Sequence, residues 1–108
     1  MKYRVLITDA AQADLEEIYE WIRDHDSPAR AEYVFDRVIQ AAESIAALPN
    51  RGSRPRELPP GIDADYRQVF FKPYRLIYEV DGADIVVHLI ADGRRNLHSL
   101  LLQRLTAD

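Results

Sequence analysis

Two consecutive stretches decide the fold. The first is Tyr66-Arg-Gln-Val-Phe-Phe-Lys-Pro-Tyr-Arg-Leu-Ile-Tyr-Glu-Val-Asp-Gly82, and the second is Ala83-Asp-Ile-Val-Val-His-Leu-Ile-Ala-Asp-Gly-Arg-Arg-Asn-Leu97. Three runs of β-branched and aromatic residues are parted by Lys72-Pro73 and Asp81-Gly82, and Asp92-Gly93 follows the third. Such runs broken by turn dipeptides predict an antiparallel meander. With Asp81-Gly82 as a two-residue type I′ turn, Val80 lies opposite Ala83, Tyr78 opposite Ile85, Leu76 opposite Val87 and Tyr74 opposite Leu89. These apolar pairs share one face, expected to meet helices. The opposite face then carries Ile77 across from Val86 and Arg75 across from His88, with Arg94 and Arg95 just beyond the last strand. A one-residue slip would turn every side chain over.

Upstream, Tyr3–Thr8 alternates as a strand, and Asp9 with Gln12 has the pattern of a capping box. Ala11, Leu15, Ile18 and Ile22 form a helical stripe, with Asp14, Glu16, Glu17, Glu20 and Asp24 on the flanks and outer face. Trp21 falls at the border of the stripe and reads as a core-edge aromatic. Ser27-Pro28 supplies a cap and a first-turn proline for a second helix. Its stripe runs Ala31, Val34, Phe35, Val38, Ala42, Ile45, Leu48. A short joint between two amphipathic helices predicts an antiparallel hairpin lying on the apolar face of the sheet. Asp24-His25-Asp26 reads as that joint, not as a metal site.

The chain has 108 residues, 47% apolar and 30% charged, which fits one globular domain spanning 1–108. Without cysteine there is no disulfide or thiolate metal site, and a reducing compartment is compatible. No apolar run reaches the roughly 20 residues that span a bilayer. Met1-Lys2-Tyr3-Arg4-Val5 enters a strand-like run directly, without a signal peptide's apolar region. The net charge of −4 disfavours indiscriminate nucleic-acid binding. It is uneven, however: residues 1–50 hold five basic and ten acidic side chains, residues 51–75 six and three. Twelve of the fourteen basic residues are arginine, suited to bidentate and stacked contacts with an anionic partner or to ion pairs within the chain.

Residues 49–65, rich in Pro, Gly and Arg, read as a loop long enough to be either functional or a crossing of the sheet edge. Asn96 is placed to cap a last helix. There Leu97, Leu100, Leu101 and Leu105 make a stripe that packs on the sheet or serves a partner.

Several strings in this order resemble the RelE/ParE superfamily of bacterial type II toxins. Ala13-Asp14-Leu15 with Ile18 lies in the first helix and Leu48-Pro49-Asn50-Arg51-Gly52 ends the second. Tyr74-Arg75-Leu76-Ile77-Tyr78-Glu79-Val80 makes a strand, and Asp92-Gly93-Arg94-Arg95-Asn96-Leu97 leads into the last helix. The resemblance covers essentially the whole chain. It implies an α+β fold in the order β-α-α-β-β-β-α, a helical hairpin packed on a small, mostly antiparallel sheet.

Two activities accompany the resemblance. RelE-like members are ribosome-dependent mRNA endonucleases, and on that reading Arg75, Arg95, His88 and His98 are the candidate catalytic residues. ParE-like members poison DNA gyrase by protein contact. The chain departs from the nuclease pattern, with Lys72 as the one lysine near the Tyr-Arg-Leu strand and Leu100, Leu101 and Leu102 in place of a terminal tyrosine. It is therefore closer to the ParE-like branch. That branch implies a cytoplasmic bacterial toxin without cofactor or metal, without membrane or sequence-specific nucleic-acid binding, and in a hetero-oligomer with a small ParD-like antitoxin. Arg94, Arg95, Arg67, Arg75, Leu97, Leu100 and Leu101 are then expected at target or partner surfaces. A third reading, a non-toxic antitoxin-binding module, predicts the same antitoxin.

Overall fold

The computed structural model describes residues 3–106, so Met1 and Lys2 of the strand-like entry lie outside the described residues. The elements run β1 (Arg4–Ile7), α1 (Asp9–His25), α2 (Pro28–Ser44), β2 (Tyr66–Phe71), β3 (Tyr74–Asp81), β4 (Asp84–Asp92) and α3 (Leu97–Thr106). Among these residues one sheet forms, ordered β1-β4-β3-β2, with β1 parallel to β4 and the other neighbours antiparallel. The expected α+β architecture and element order are present.

Each helix start has a local cause. Thr8, not Asp9, caps α1: its Oγ1 accepts from the Ala11 amide at 3.1 Å, and Asp9 becomes the first-turn acid. Ser27 caps α2 with Pro28 at the first position, as read from the sequence. Asn96 accepts from the Ser99 amide at the start of α3. The second helix stops short of its apolar stripe. It ends at Ser44, Ile45 is its last buried anchor, and Leu48 is 61% exposed. The residue before a proline is turned away from helix, and Leu48 precedes Pro49.

The sheet is covered on both faces, and that separates two cores. Leu15, Ile22, Val34, Val38 and Ile45 of the hairpin pack on Val69, Leu76, Tyr78, Ile85 and Val87. Leu97 and Leu101 of α3 pack on Tyr66, Ile77, Leu89 and Ala91 from the other side. Fully buried aliphatic side chains contribute about 1.5–3 kcal/mol each relative to exposure.

The meander is present, but its register differs from the expectation. Asp81 pairs with Asp84, so the two loop residues are Gly82 and Ala83, and only Gly82 has positive φ, at 61°. A turn with glycine at its first central position replaces the expected type I′ turn. Val80 faces Ile85 and Tyr78 faces Val87; then His88 is inserted and Ile77 faces Leu89. This bulge reverses the faces beyond it. Leu89 moves to the α3 side, Ile90 takes the helical side, and Arg75 lies opposite Ala91 rather than His88.

The loop at 49–65 is pinned by arginines. Arg67 donates from Nη1 to the Asn50 and Gly52 carbonyls and from Nε to Asp65, while Arg54 reaches the Ile62 and Ala64 carbonyls. Tyr78, buried, donates to the Pro49 carbonyl at 2.8 Å. Gly52 lies against this anchor. A Cβ there would stand 2.5 Å from the Gln68 carbonyl and 2.6 Å from the Tyr78 hydroxyl. Gly52→Ala is expected to lower stability by about 1–3 kcal/mol, read from the denaturation midpoint, because the obstructing Gln68 oxygen is backbone and does not yield.

Candidate functional site

Past β1, the outer edge of β4 has no strand beside it. Asp14 on α1 and Arg104 on α3 cover it instead. Asp14 accepts from the Ile90 amide at 3.0 Å and takes two hydrogen bonds of 2.9 Å from Arg104, which also donates to the His88 carbonyl. This ion pair is mostly buried, and it holds the Arg104 guanidinium above its ordinary pKa.

Beyond the pair, between α1 and the end of the sheet, lies an open groove of about 440 Å³. Ile18, Trp21, Ile22, Tyr74, Ile90 and Ala91 give it an apolar floor, and Glu17, Asp92, Arg94 and Arg95 give it a charged rim. Trp21 is 62% exposed here and stacks on His25 at 4.3 Å between ring centroids. Its position is a correction to the core-edge expectation. One step off the Ile18–Ile22 stripe is enough to turn the indole out. Asp92 binds the Arg94 backbone amide and guanidinium, which lowers its carboxyl pKa.

A second groove, about 560 Å³, lies on the α3 side at the same end of the sheet. Arg54, Arg56, Lys72, Arg75 and Arg94 give it a basic lining, and Phe70 is 53% exposed beside them. Its central arginine is occupied. Arg75 makes a fork-to-fork pair with Glu57 at 2.7 and 2.9 Å and also binds the Gln68 side-chain oxygen. The Arg75 side chain is 11% exposed and Glu57 is 23% exposed. Hydrogen bonding from Arg75 pulls the Glu57 carboxyl below its ordinary pKa. A carboxyl with a lowered folded pKa stabilises fully above its unfolded value, roughly pH 4.3, and that contribution disappears as pH falls through the folded value. Wild-type thermal stability should therefore fall more steeply below about pH 4 than that of Glu57→Gln. Parallel melts of the two proteins across that range check this.

The sequence-expected site residues do not form one constellation. Arg95 lines the first groove and Arg75 the second, with Arg94 at the border of both. Neither groove is lined by a histidine. His88 bonds Glu79 at 3.0 Å, and His98 is exposed on α3. Arg67 is used in pinning the loop. Leu97 and Leu101 are inside the second core, and Leu100 is partly buried against it. Glu57 was not legible as a partner of Arg75, since the two are 18 residues apart with no periodic relation. Among the described residues no group of three or more His, Asp or Glu could hold a metal ion, and no helix is long and apolar enough to cross a membrane.

Residues 5–97 match the family described as ParE toxin of type II toxin-antitoxin system, parDE. Toxin ParE1 of Mycobacterium tuberculosis is 34% identical over 102 residues, covering 90% of this chain and 100% of the relative. Toxin ParE3 of Caulobacter vibrioides is 28% identical over 98 residues, covering 91% and 94%. Among solved structures, the chromosomal ParDE TA system from P. aeruginosa superposes with a TM-score of 0.69 at 19% identity, over 84% of this chain and 96% of that one. A mutant of E. coli toxin RelE in the free state gives 0.61 at 14% identity, over 97% and 99%. The fold is thus shared by both branches, while the sequence relatives are ParE toxins. The chain belongs to the ParE toxin family of type II toxin–antitoxin systems.

Proposed function

We propose that this ParE-type toxin acts on DNA gyrase by protein–protein contact, and that a cognate antitoxin neutralises it by laying an apolar segment along the groove between α1 and the end of β4. The observation that carries the first half is the engagement of Arg75. Cleavage through a ribose 2′-hydroxyl needs a group to take its proton and cations on the developing phosphorane charge. Here the arginine on the Tyr-Arg-Leu strand is paired with Glu57, is separated from Arg95, and has no histidine in its groove. Contact is the function that such an arrangement supports.

The groove supports the second half. Its apolar floor includes an exposed tryptophan, and its rim bears both signs of charge. Aromatic anchors of that kind carry a large share of binding energy at interfaces. The structural neighbours named a ParDE TA system and a toxin-antitoxin complex RelBE2 from Mycobacterium tuberculosis are assemblies of this type. The basic lining of the second groove favours the alternative, an RelE-like ribosome-dependent nuclease.

Expression of the chain without its antitoxin separates the two. SOS induction with gyrase-linked DNA breaks is the expected result. Abrupt translation arrest, with mRNA cut at fixed codon positions, would assign the chain to the nuclease branch.

A further inference from the structure

At the outer edge of the helical layer, four side chains form an array that lines neither groove. Arg30, Tyr33 and Arg37 share one face of α2, and the Phe71 ring meets them from the end of β2. The Tyr33 and Phe71 rings lie edge to face with centroids 6.3 Å apart. The Arg30 guanidinium is 5.1 Å from the Tyr33 centroid, and that of Arg37 is 5.8 Å from Tyr33 and 5.7 Å from Phe71. Tyr33 is 47% exposed.

Among the described residues, six of the other ten arginines have carboxylate partners, Arg51 and Arg54 bond a hydroxyl and carbonyl oxygens, and Arg56 and Arg95 stand open without an aromatic ring to hold them. Arg4, Arg23, Arg67, Arg75, Arg94 and Arg104 each pair with an aspartate or glutamate. Among the described residues, the Arg30 and Arg37 guanidiniums have neither a carboxylate partner nor a hydrogen bond. Stacking on a ring holds a guanidinium plane in place while its N–H groups remain open for a carboxylate. The side chains are thereby ordered before a partner arrives, which lowers the entropy cost of binding.

The array adjoins the first groove through the sheet. Tyr74 lines that groove and is the cross-strand partner of Phe71. Burial and Asp92 push the Tyr74 phenol above its ordinary pKa, and Arg30 is close enough to oppose them. A segment leaving the groove over Tyr74 meets Phe71 and then the two arginines.

We propose that Arg30, Tyr33, Arg37 and Phe71 receive an acidic stretch of the antitoxin, contiguous with the segment that fills the groove; this rests on the groove reading above. Arg30 and Arg37 are two helical turns apart, about 10 Å along the axis. Carboxylates three residues apart on a polyproline II segment, with three residues per turn, fall on one face about 9 Å apart. A nucleic-acid strand fits less well. The guanidiniums cover the rings on which bases would stack, and a chain of net charge −4 repels a polyanion more than a peptide carrying two carboxylates.

The test titrates the full-length cognate antitoxin into wild type and into Arg30→Glu/Arg37→Glu, at low and high salt. Glutamate at position 30 stands three residues after the Ser27 cap, where it suits the helix start, so the fold is expected to persist; a thermal melt of each protein verifies that. The expected result is a loss of affinity of roughly thirtyfold in low salt, shrinking in high salt. Arg30→Lys/Arg37→Lys, which keeps charge but loses the planar fork, should fall between the two. Binding of the Glu variant within about twofold of wild type, well inside the tenfold that 1.4 kcal/mol represents, overturns the array and leaves the groove reading standing. Absence of binding by wild type overturns both. A single-stranded RNA oligonucleotide that binds wild type and not the Glu variant would reassign the array to nucleic acid.

Discussion

Asp14→Ala should lower the unfolding free energy by about 3 kcal/mol, among the largest losses from a single polar side chain in this fold. The carboxylate does three things at once. It takes both N–H arms of Arg104, accepts the Ile90 amide on an edge of β4 without a neighbouring strand, and joins α1 to α3 across the sheet. Removing it leaves a mostly buried guanidinium without its charge partner and a backbone donor without an acceptor. Arg104 keeps its bond to the His88 carbonyl, and its side chain is 25% exposed, so the loss stays below that of a fully buried pair. Asp14→Asn keeps an acceptor for Ile90 and should cost about half as much. Urea denaturation of the three proteins measures the series. Equal stability of wild type and Asp14→Ala would mean that the edge is sealed by something else.

Trp21→Ala has its largest expected effect on binding instead. Loss of an exposed indole from an apolar groove should weaken antitoxin binding by about 2–4 kcal/mol, or roughly 30- to 1,000-fold. Because Trp21 is 62% exposed and packs chiefly on His25, the same change should alter folding stability by no more than about 0.5 kcal/mol. Trp21 is also the chain's single tryptophan, so its fluorescence reports on groove occupancy without a label. Emission should shift to the blue as antitoxin is added. An unchanged spectrum at saturation would place the antitoxin elsewhere.

Element types were legible because each left a local pattern. The stripes of α1 and α2, the Ser27-Pro28 start, the Asn96 cap and the alternating meander all lie within a few residues of one another in sequence. The errors arose where one inserted residue or a distant partner decided the outcome. The turn at Gly82-Ala83 instead of Asp81-Gly82 shifted the pairing by two residues and took Arg75 away from His88, and His88 as a bulge, which has no composition signal, moved Leu89 to the opposite face. A proline cut α2 one turn before its stripe ended, leaving Leu48 in solvent. The candidate site was less legible than the fold for the same reason. Arg94 and Arg95 were expected at the open end of the sheet and are there, but Arg67 and Arg75 were absorbed by contacts with residues 50–65. Composition could flag those arginines; only the folded loop decides which carboxylate or carbonyl each one meets.

The proposed mode of action grips another protein and cuts no RNA. Purified chain added to gyrase and relaxed plasmid tests it most directly, with Arg75→Ala as the companion. The expected result is lost supercoiling and accumulated cleaved DNA, with Arg75→Ala as potent as wild type once matched for folded protein. Intact gyrase activity, together with mRNA cleavage on translating ribosomes that Arg75→Ala abolishes, would contradict it.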